Sequence, residues 1–492
     1  MKVQEHHRFE SGLPADDAHP YRTGPWRPQT VERDAEYEAW DLDVEGEIPA
    51  DLAGTYLRNT ENPLLPAIST YHPFDGDGML HSVTFEGGEA RYANRFVRTD
   101  AFLAEREAGQ SLWAGVAEAP AQSLREDGWG ARPRMKDASS TDVVVHRGEA
   151  LSSFWMCGDL YRHDPVTLKP LGRADFGGRF PAEGVSAHPK VDERTGELLF
   201  FNYGLEAPHF HYGELAPDGT LQHYVEVPYP GPRLPHDMAF TEHYAIVNDF
   251  PMFWAPSLVE QGLYIPTFHR DLPSRFAVVP RHGVPGEVRW FEADPTYVLH
   301  FVNAYEDGDE VVLDGFFQHN PSIRSDKARS FEENLFRYLA VDEFQARPHR
   351  WRFDLRTGAC REEPRADDFR EFGVVNGGFA GRPARWSYHA IPASGWFGFT
   401  GFARFDLETG AEVRVELKEG VFASEVAVAP RLGSTEEDDA YLVTITMDLG
   451  ADESHCEVYD AADPAAGPVA RIRLPERVSS GTHACWAPSA RP

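Results

Sequence analysis

Four histidines stand next to strand-like runs in widely separated parts of the chain. They are His188 in SAHPKVD, His236 in PHDMAF, His300 in VLHFVNAYEDGDEVVLD and His483 in SGTHACWAP. Neutral imidazole is the usual protein ligand for first-row transition metals such as iron, copper and zinc. A fold that brings these four positions together would therefore build a metal site. The spacing of the histidines alone leaves the identity of the metal open.

The elements that must position these histidines are mostly β-strands. Short runs rich in β-branched and aromatic residues recur, namely ARYANRFV, DVVVH, ELLFFNYG, HYAIVNDF, DEVVLDGFF and AYLVTITMDL. Gly, Pro, Asp or Asn bounds each of them, as is typical of strands. The segments EGGE, HRGE, ERTGE, APDGT and LETGA predict hairpin turns between neighbouring strands. Helical periodicity is confined mainly to residues 99–122 and 326–335.

The organisation of the 492-residue chain favours one large β domain. The first 40 residues are polar and Pro-rich, and we expect them to wrap the surface as an extension. Residues 41–492 contain no linker or low-complexity segment, which predicts a single domain. Many antiparallel hairpins without a break indicate a propeller or a large sandwich. The dispersed histidines favour the propeller, because radial sheets place their inner strands around one axis.

Composition excludes several functional classes. The chain has 47 basic and 79 acidic side chains and a formal charge of −32, so nucleic acid and anionic lipid are unfavourable partners. Its four cysteines are scattered and form no CxxC pair, which disfavours a disulfide framework or a structural zinc site. No stretch approaches the roughly 20 apolar residues of a membrane span. These features predict a reduced, cytoplasmic protein.

A series of motifs extends the histidine pattern into a family resemblance. In order they are GEIPADLAGTYLRNTENP, HPFDGDGMLHSVTF, YANRFVRT, the four histidine segments, EFGVVNGGFAGRPARW, ASEVAVAPR, EEDDAYLVTITMD and VARIRLPERVSSGTHACWAP. From about residue 44 to residue 488, the chain resembles the carotenoid cleavage oxygenase family. That family includes stilbene-cleaving and retinoid-isomerising branches. This many motifs in one order are far more specific than any one of them.

The resemblance implies an all-β fold, a seven-bladed β-propeller with a helical and loop dome over an Fe(II) site. It assigns the four histidines as iron ligands. It also implies that Glu371 and Glu425 accept hydrogen bonds from ligand imidazoles. The family has a third such glutamate shortly before a Tyr-Arg-x-Asp-Pro segment, and here Met156 occupies that position in FWMCGDLYRHDP.

The loss of one carboxylate predicts a changed metal site. Carboxylates next to ligand imidazoles offset the metal charge and fix the ring tautomer, and removal of one typically costs about 10–100-fold in affinity or activity. We therefore expect weaker iron binding or a higher redox potential than in a three-glutamate relative. A water or nearby Asp159 could substitute for the missing group.

The resemblance also implies a reaction, the oxidative scission of a C=C bond by O2 to give two carbonyl products. Four histidine ligands leave two positions open on octahedral iron. Thr141, in SSTDVVVH, matches a position that faces the iron near an open site, where it would restrict access. The leading substrate class is a carotenoid or apocarotenoid, with a stilbene or other phenylpropenoid as the alternative. Trp155 stands where stilbene-cleaving relatives place a lysine, which disfavours a 4-hydroxystilbene.

The apolar segment FPMFWAPSLVEQGLY is a candidate substrate tunnel, with core packing as the competing interpretation. Trp155, Phe253 and Trp254 are the predicted lining residues, because an apolar alkene must be held away from water. Transient contact with a membrane surface would let the enzyme collect such a substrate. A non-catalytic propeller that binds an apolar ligand is a third hypothesis, which the four intact histidines oppose. The oligomeric state stays open.

Overall fold

The computed structural model describes residues 1–13, 35–116, 118–128, 135–254, 266–321, 345–394 and 398–489. Strands dominate these residues. In chain order they are β1 Lys2–Arg8, β2 Ala35–Trp40, β3 Val44–Gly46, β4 Gly54–Glu61, β5 Gly78–Glu86, β6 Glu89–Phe96, β7 Asp142–His146, β8 Glu149–Ser153, β9 Tyr161–His163, β10 Pro170–Arg173, β11 Lys190–Asp192, β12 Glu197–Tyr203, β13 Phe210–Leu215, β14 Leu221–Glu226, β15 Ala239–Phe240, β16 Tyr244–Asp249, β17 Met252–Trp254, β18 Pro266–Phe268, β19 Ser274–Pro280, β20 Arg289–Ala293, β21 Phe301–Asp307, β22 Glu310–Phe317, β23 Arg347–Asp354, β24 Cys360–Pro364, β25 Glu371–Val374, β26 Trp386–Pro392, β27 Phe399–Asp406, β28 Glu412–Glu416, β29 Val421–Ala423, β30 Ala427–Pro430, β31 Ala440–Asp448, β32 Glu453–Asp460, β33 Ala470–Arg473 and β34 Gly481–Pro488.

The predicted strands and hairpins are confirmed. The six strand-like runs form β6, β7, β12, β16, β22 and β31. Each predicted turn joins two antiparallel partners; EGGE, for example, connects β5 to β6, with Glu86 opposite Glu89. These outcomes were predictable because alternation and turn chemistry act within a few residues.

Helix is scarcer than the periodicity suggested. The α-helix α1 spans Asp100–Ala108, and several short 3-10 turns accompany it in the described residues. The Thr99 hydroxyl accepts the Phe102 amide at 2.9 Å and caps the start of α1. Gly109 ends the helix in the left-handed conformation, with φ of +65°. The prediction of helix over residues 99–122 is therefore wrong beyond Ala108, and residues 326–335 lie outside the described residues.

Seven antiparallel pairings or sheets organise the strands. Their orders are β1-β2-β6-β5-β4-β34, β10-β9-β8-β7, β11-β12-β13-β14, β15-β16-β19-β20, β17-β18, β21-β22-β23-β24 and β25-β26-β27-β29-β31-β32-β33-β3, with β28 on β27 and β30 on β31. The last of these has ten strands, and β27 joins β29 through one residue pair, Phe399 and Ala423. That sheet therefore consists of two parts that meet at a narrow junction.

The apolar core lies between neighbouring sheets. Leu80 on β5 and Val143 on β7 share one cluster, while Phe201 on β12 and Val247 on β16 share another. Further clusters join β8 to β12, β19 to β22 and β26 to β31. Strands such as β4 are buried along their entire length, because a sheet packs on each face.

The two ends of the described chain meet in these sheets. The last strand, β34, pairs with β4, and the early strand β3 pairs with β33. The largest cluster contains Tyr56 of β4 together with Val443 of β31, so the last sheet packs against the first. At the N-terminus, exposed β1 pairs with β2, and β2 pairs with β6. Among the described residues, no helix is long and apolar enough to cross a membrane.

Candidate metal centre

The four predicted histidines converge on one point. His188 precedes β11, His236 precedes β15, His300 precedes β21, and His483 lies within β34. The ring centre of His188 lies 4.8 Å from that of His236, 5.1 Å from that of His300 and 4.4 Å from that of His483. The starts of three strands and the first part of β34 therefore bring together residues that are up to 295 positions apart in sequence, from 188 to 483.

The ring nitrogens are arranged as metal ligands would be. The Nε2 atoms of His188 and His236 lie 3.3 Å apart, and one nitrogen from each of His188, His300 and His483 falls within 4.8 Å of the others. The Nε2 of His300 is buried, and no described residue forms a hydrogen bond with it. A buried polar nitrogen without a partner is costly. The residues thus fit a first-row transition metal, which would satisfy these nitrogens together.

His300 is oriented by a carboxylate. Its Nδ1 donates to Glu371 Oε2 at 2.6 Å, and the same oxygen accepts the Phe372 amide at 2.9 Å. The Phe372 ring lies 4.4 Å from the His300 ring and 4.7 Å from the His483 ring. A charge and an aromatic wall therefore fix His300, which leaves its Nε2 directed to the centre.

His483 has an equivalent support. Its Nδ1 lies 3.3 Å from Glu425 Oε2, which also accepts the Ala484 amide at 2.6 Å. The backbone oxygen of Glu425 accepts the Tyr56 hydroxyl at 3.0 Å. Hydrogen bonds to both the side chain and the backbone of Glu425 therefore fix the carboxylate that contacts the His483 imidazole.

His188 is positioned mainly through its backbone. Its amide donates to Asp142 Oδ2 at 3.2 Å, and its Nδ1 lies 3.4 Å from the same oxygen. The φ angle of His188 is +65°, a left-handed conformation that is unusual for a residue other than glycine. Such strain persists only where the surroundings over-determine it, and it is concentrated at functional sites.

His236 differs from the other three. In the described part of the chain, no carboxylate lies at ion-pair distance from its ring, whereas His188, His300 and His483 each have one. Met156 is fully buried, and its sulfur lies 3.6 Å from the Tyr203 hydroxyl. Asp159, the acid that could substitute for the missing glutamate, pairs with Arg173 at 3.2 Å.

Electrostatics keep most of the imidazoles neutral. Burial and the neighbouring rings lower the pKa of His188 and His300, and they lower the pKa of His236 to about 3. For His483, burial acts downward, but Glu425 raises the pKa above its usual value. Burial raises the pKa of Glu371 to about 8. A bound cation would favour the ionised carboxylates and the neutral rings, which are the ligand form.

Thr141 lies beside the centre. Its hydroxyl accepts the Trp155 amide at 3.1 Å, and its carbonyl accepts the hydroxyl of Thr482, the residue before His483. Thr141 therefore connects the Trp155 segment to the segment that carries the last histidine.

Of the three predicted tunnel residues, the structure describes the side chains of Trp155 and Phe253. The Trp155 ring lies 6.4 Å from the His236 ring, and its indole nitrogen is buried without a hydrogen-bond partner in the described structure. Phe253 lies on β17, stacked 4.2 Å from His269 and 4.1 Å below the Arg233 guanidinium. Trp254 belongs to β17, but its side chain lies outside the described residues, as do residues 255–265.

A cavity opens beside Phe154, the neighbour of Trp155 in sequence. Its volume is about 530 Å³, including the part open to solvent. The wall is mixed: the apolar part includes Leu65, Phe74, Trp113 and Met135, and the charged part consists of Asp75, Asp77, Glu105, Glu118 and Lys136. Sequence reasoning did not find this cavity, because its wall combines segments that only the fold brings together.

Three residues at the centre were missed from the sequence. Asp142 contacts His188, Phe372 packs on two rings, and Asp237 accepts the Phe301 amide beside His300 at 2.8 Å. Asp237 also pairs with Lys190 at 2.6 Å. Each missed residue directly follows a predicted one in sequence, so an acid or aromatic side chain in that position was the available signal.

Comparisons with known proteins agree with this arrangement. The family described as Retinal pigment epithelial membrane protein matches residues 28–488. Carotenoid 9,10(9',10')-cleavage dioxygenase 1 of Phaseolus vulgaris is 31% identical, over 97% of this chain and 90% of that protein. The crystal structure of Pseudomonas brassicacearum lignostilbene dioxygenase superposes with a TM-score of 0.82 at 28% identity and covers 96% of this chain and 99% of its own. Cobalt-substituted Synechocystis apocarotenoid oxygenase gives a TM-score of 0.78 at 27% identity, over 92% and 96% of the two chains.

Proposed function

The chain belongs to the carotenoid cleavage oxygenase family, and from this premise we propose an Fe(II)-dependent dioxygenase that cleaves a C=C bond of a carotenoid or apocarotenoid. O2 is the co-substrate and two carbonyl compounds are the products. The observation that carries the proposal is the convergence of four imidazoles, three of them buried, and among the described residues the Nε2 of His300 has no hydrogen-bond partner. Relatives with this fold are named dioxygenases or oxygenases.

His188, His236, His300 and His483 would hold the iron, which supplies O2 activation when bound. Glu371 and Glu425 fix the rings of His300 and His483, and they add negative charge beside neutral ligands. Thr141 would restrict access to an open coordination position. Its hydroxyl is already engaged by the Trp155 amide, so its methyl group is the part free to act as a steric barrier.

We also propose the propeller architecture. Division of the ten-stranded sheet at the β27–β29 junction gives seven large strand groups, and the last packs on the first. The single domain would span residues 41–492, with residues 1–40 as an extension whose strands add to the first sheet. A cytoplasmic location and transient membrane contact remain predictions.

A phenylpropenoid alkene is the second candidate substrate, and the Trp155 indole favours it. This N–H group is buried without a partner near His236, so it can donate to a polar atom of a bound ligand. A substrate with a hydroxyl or methoxyl near the scissile bond would satisfy it, whereas the polyene section of a carotenoid would not. One solved relative, lignostilbene dioxygenase, is named for a substrate of this chemical class.

Iron analysis combined with oxygen consumption tests the proposal. The iron-loaded enzyme is assayed with an apocarotenal, a C40 carotenoid and resveratrol, and the carbonyl products are identified by mass spectrometry. Cleavage of either polyene supports the leading candidate, and cleavage of resveratrol alone supports the second. Stoichiometric iron without oxygen consumption on any of the three would overturn the dioxygenase assignment for these substrate classes.

Two matched variants distinguish the substrate routes. Leu65→Asp adds a charge to the apolar part of the wall of the 530 Å³ cavity, and Phe253→Asp places one in the predicted tunnel segment. If the substrate uses one of these routes, the aspartate in that route should weaken substrate binding, because an unpaired buried carboxylate is costly to desolvate. We expect a several-fold rise in KM for one variant with unchanged iron content. Equal KM values in both variants and the wild type would exclude both routes.

A further inference from the structure

A second group of ligand-type side chains lies between two neighbouring sheets, away from the histidine centre. Glu197 begins β12, Glu214 lies on β13, and His282 lies in the turn after β19. One oxygen of each glutamate and one nitrogen of the histidine fall within 4.8 Å of one another. The group shares no residue with the proposed iron site. It connects the β11–β14 sheet with the β15-β16-β19-β20 sheet.

The His282 ring is held in place before any ligand arrives. Its backbone amide donates to Glu214 Oε1 at 3.0 Å. Its φ angle is +58°, in the left-handed region that a residue with a side chain enters at some cost. The contact with Glu214 thus fixes a strained turn and directs the imidazole toward the two glutamates.

The spacing of the donor atoms differs from that of ordinary hydrogen bonds. His282 Nε2 lies 3.4 Å from Glu197 Oε1 and 3.4 Å from Glu214 Oε2. Hydrogen bonds between nitrogen and oxygen are usually about 2.9–3.0 Å long. Tetrahedral zinc, with bonds of about 2.0–2.1 Å, holds neighbouring donor atoms roughly 3.3–3.4 Å apart. The two distances from His282 Nε2 therefore match the separation of ligands around one small ion, and Glu197 Oε1 also accepts the Gln222 side-chain amide at 2.6 Å.

The charges of the group call for one more cation. Arg281 donates to Asp192 Oδ2 at 2.9 Å and to Glu197 Oε2 at 2.5 Å, and Arg194 reaches the other oxygen of Asp192 at 3.4 Å. Three carboxylates, including Glu214, thus face two guanidinium groups. A protonated His282 or a bound metal would supply the missing positive charge.

Two buried polar atoms of the group favour a ligand. The Glu214 side chain is fully buried, and among the described residues its Oε2 has no hydrogen bond of ordinary geometry, with His282 Nε2 3.4 Å and Arg281 Nε 3.6 Å away. The Tyr212 hydroxyl lies beside the Glu214 carboxylate and is also buried without such a bond in the described structure; its pKa is raised by burial first and by Glu214 second. An ion beside Glu214 would satisfy the Glu214 oxygen.

We propose that Glu197, Glu214 and His282 bind a divalent transition-metal ion, for which zinc has the best-matched donors. Histidine nitrogen and carboxylate oxygen are both zinc ligands. His223 on β14 is the candidate fourth ligand, because its Nε2 is buried without a hydrogen-bond partner and its ring lies 6.1 Å from the His282 ring. The ion clamps the two sheets together. His282 is half-exposed, so the site is open to solution ions.

Zinc titration of the iron-loaded enzyme tests the proposal, because iron already occupies the histidine centre. Calorimetry and metal analysis are applied to the wild type, to His282→Ala and to Glu197→Gln. His243→Ala is the control, since His243 is an exposed histidine of a neighbouring turn that pairs with Glu306. We expect one equivalent of zinc and a raised Tm in the wild type and the control. Both effects should be lost in His282→Ala and reduced at least tenfold in affinity in Glu197→Gln.

Two results would overturn the proposal. One is zinc binding to His282→Ala with the same stoichiometry and affinity as to the wild type. The other is a wild-type enzyme that, at saturating zinc, binds no zinc beyond its iron and shows no change in Tm.

Discussion

The two sides of the histidine centre are built differently. On one side, His300 and His483 each contact a buried glutamate that also accepts a backbone amide. On the other side, no carboxylate of the described residues pairs with His236; the Trp155 ring lies 6.4 Å from its ring, and the nearby charge is that of Lys190, in a region that also contains buried Met156. The glutamate side orients rings by charge, and the His236 side orients its ring by packing.

This difference indicates how the histidine site could form with Met156 in place of the third glutamate of the family pattern. Packing can hold a ring in place, but it adds no negative charge beside a cation. On the His236 side, a network of uncharged groups stands in place of a glutamate. In it, the Tyr203 hydroxyl donates a hydrogen bond to the Trp155 carbonyl at 2.9 Å. We therefore expect the position of His236 to be kept and its contribution to metal affinity to be reduced.

Removal of a ligand on the glutamate side should have the largest effect. His300→Ala deletes one nitrogen and also leaves Glu371 buried without its imidazole partner. We expect iron content to fall below a tenth of the wild-type value, with oxygen consumption below detection. Metal analysis of purified protein measures this, and His243→Ala serves as the exposed-histidine control. Full iron occupancy in His300→Ala would remove this histidine from the ligand set.

Exchange of carboxylates between the two sides tests the comparison directly. Glu371→Gln should lower iron affinity by about 10–100-fold, because a neutral amide replaces the charge beside His300. Met156→Glu should raise affinity, and Met156→Gln, of the same size without charge, should not. Competition with a chelator gives the affinities. Equal affinities for Met156→Glu and Met156→Gln would show that charge is not what the His236 side lacks.

Asp137 is a buried carboxylate whose oxygens accept backbone amides. It accepts the amides of Ser139 and Asp159 at 3.0 and 2.9 Å, and a side chain on Gly158 would collide with it. Burial raises the pKa of Asp137 to about 7 from a usual value of 3.8. The folded state therefore binds more protons than the unfolded state in this window, and stability falls as pH rises from about 4 to 7.

Asp137→Asn should flatten that part of the stability profile. The slope attributable to one such group is at most about 1.4 kcal/mol per pH unit. Urea unfolding between pH 5 and pH 7.5 measures the change in slope, with Asp127→Asn as a control on an exposed aspartate. Parallel profiles for wild type and Asp137→Asn would contradict the raised pKa.

The smallest expected effect concerns the neutral network. Tyr203→Phe removes the hydrogen bond to the Trp155 carbonyl, although Ser186 still donates to that oxygen at 3.1 Å. We expect a loss of about 1 kcal/mol in unfolding free energy and unchanged iron content. A fall in iron content would mean that the hydroxyl, rather than packing alone, positions the His236 side.

The sequence could predict what short-range rules and the family pattern encode. Turn residues placed the hairpins, and the family pattern predicted that Glu371 contacts a ligand imidazole; in the structure that imidazole is His300, at 2.6 Å. The end of α1 was harder, because Gly109 stops a helix whose periodicity continues. The 530 Å³ cavity and the His282 group depend on packing between segments that are distant in sequence. No local signal encodes such contacts.

The pairing of β34 with β4 has a consequence for the order of events during synthesis. His300 leaves the ribosome while the strand that carries His483 is still unmade, and at about 5–20 residues per second the interval is roughly 10–40 s. During that time β4 has an unpaired edge, and the other three histidines lack their fourth partner. Metal loading should therefore follow translation, and a nascent chain stalled before β34 should bind iron poorly.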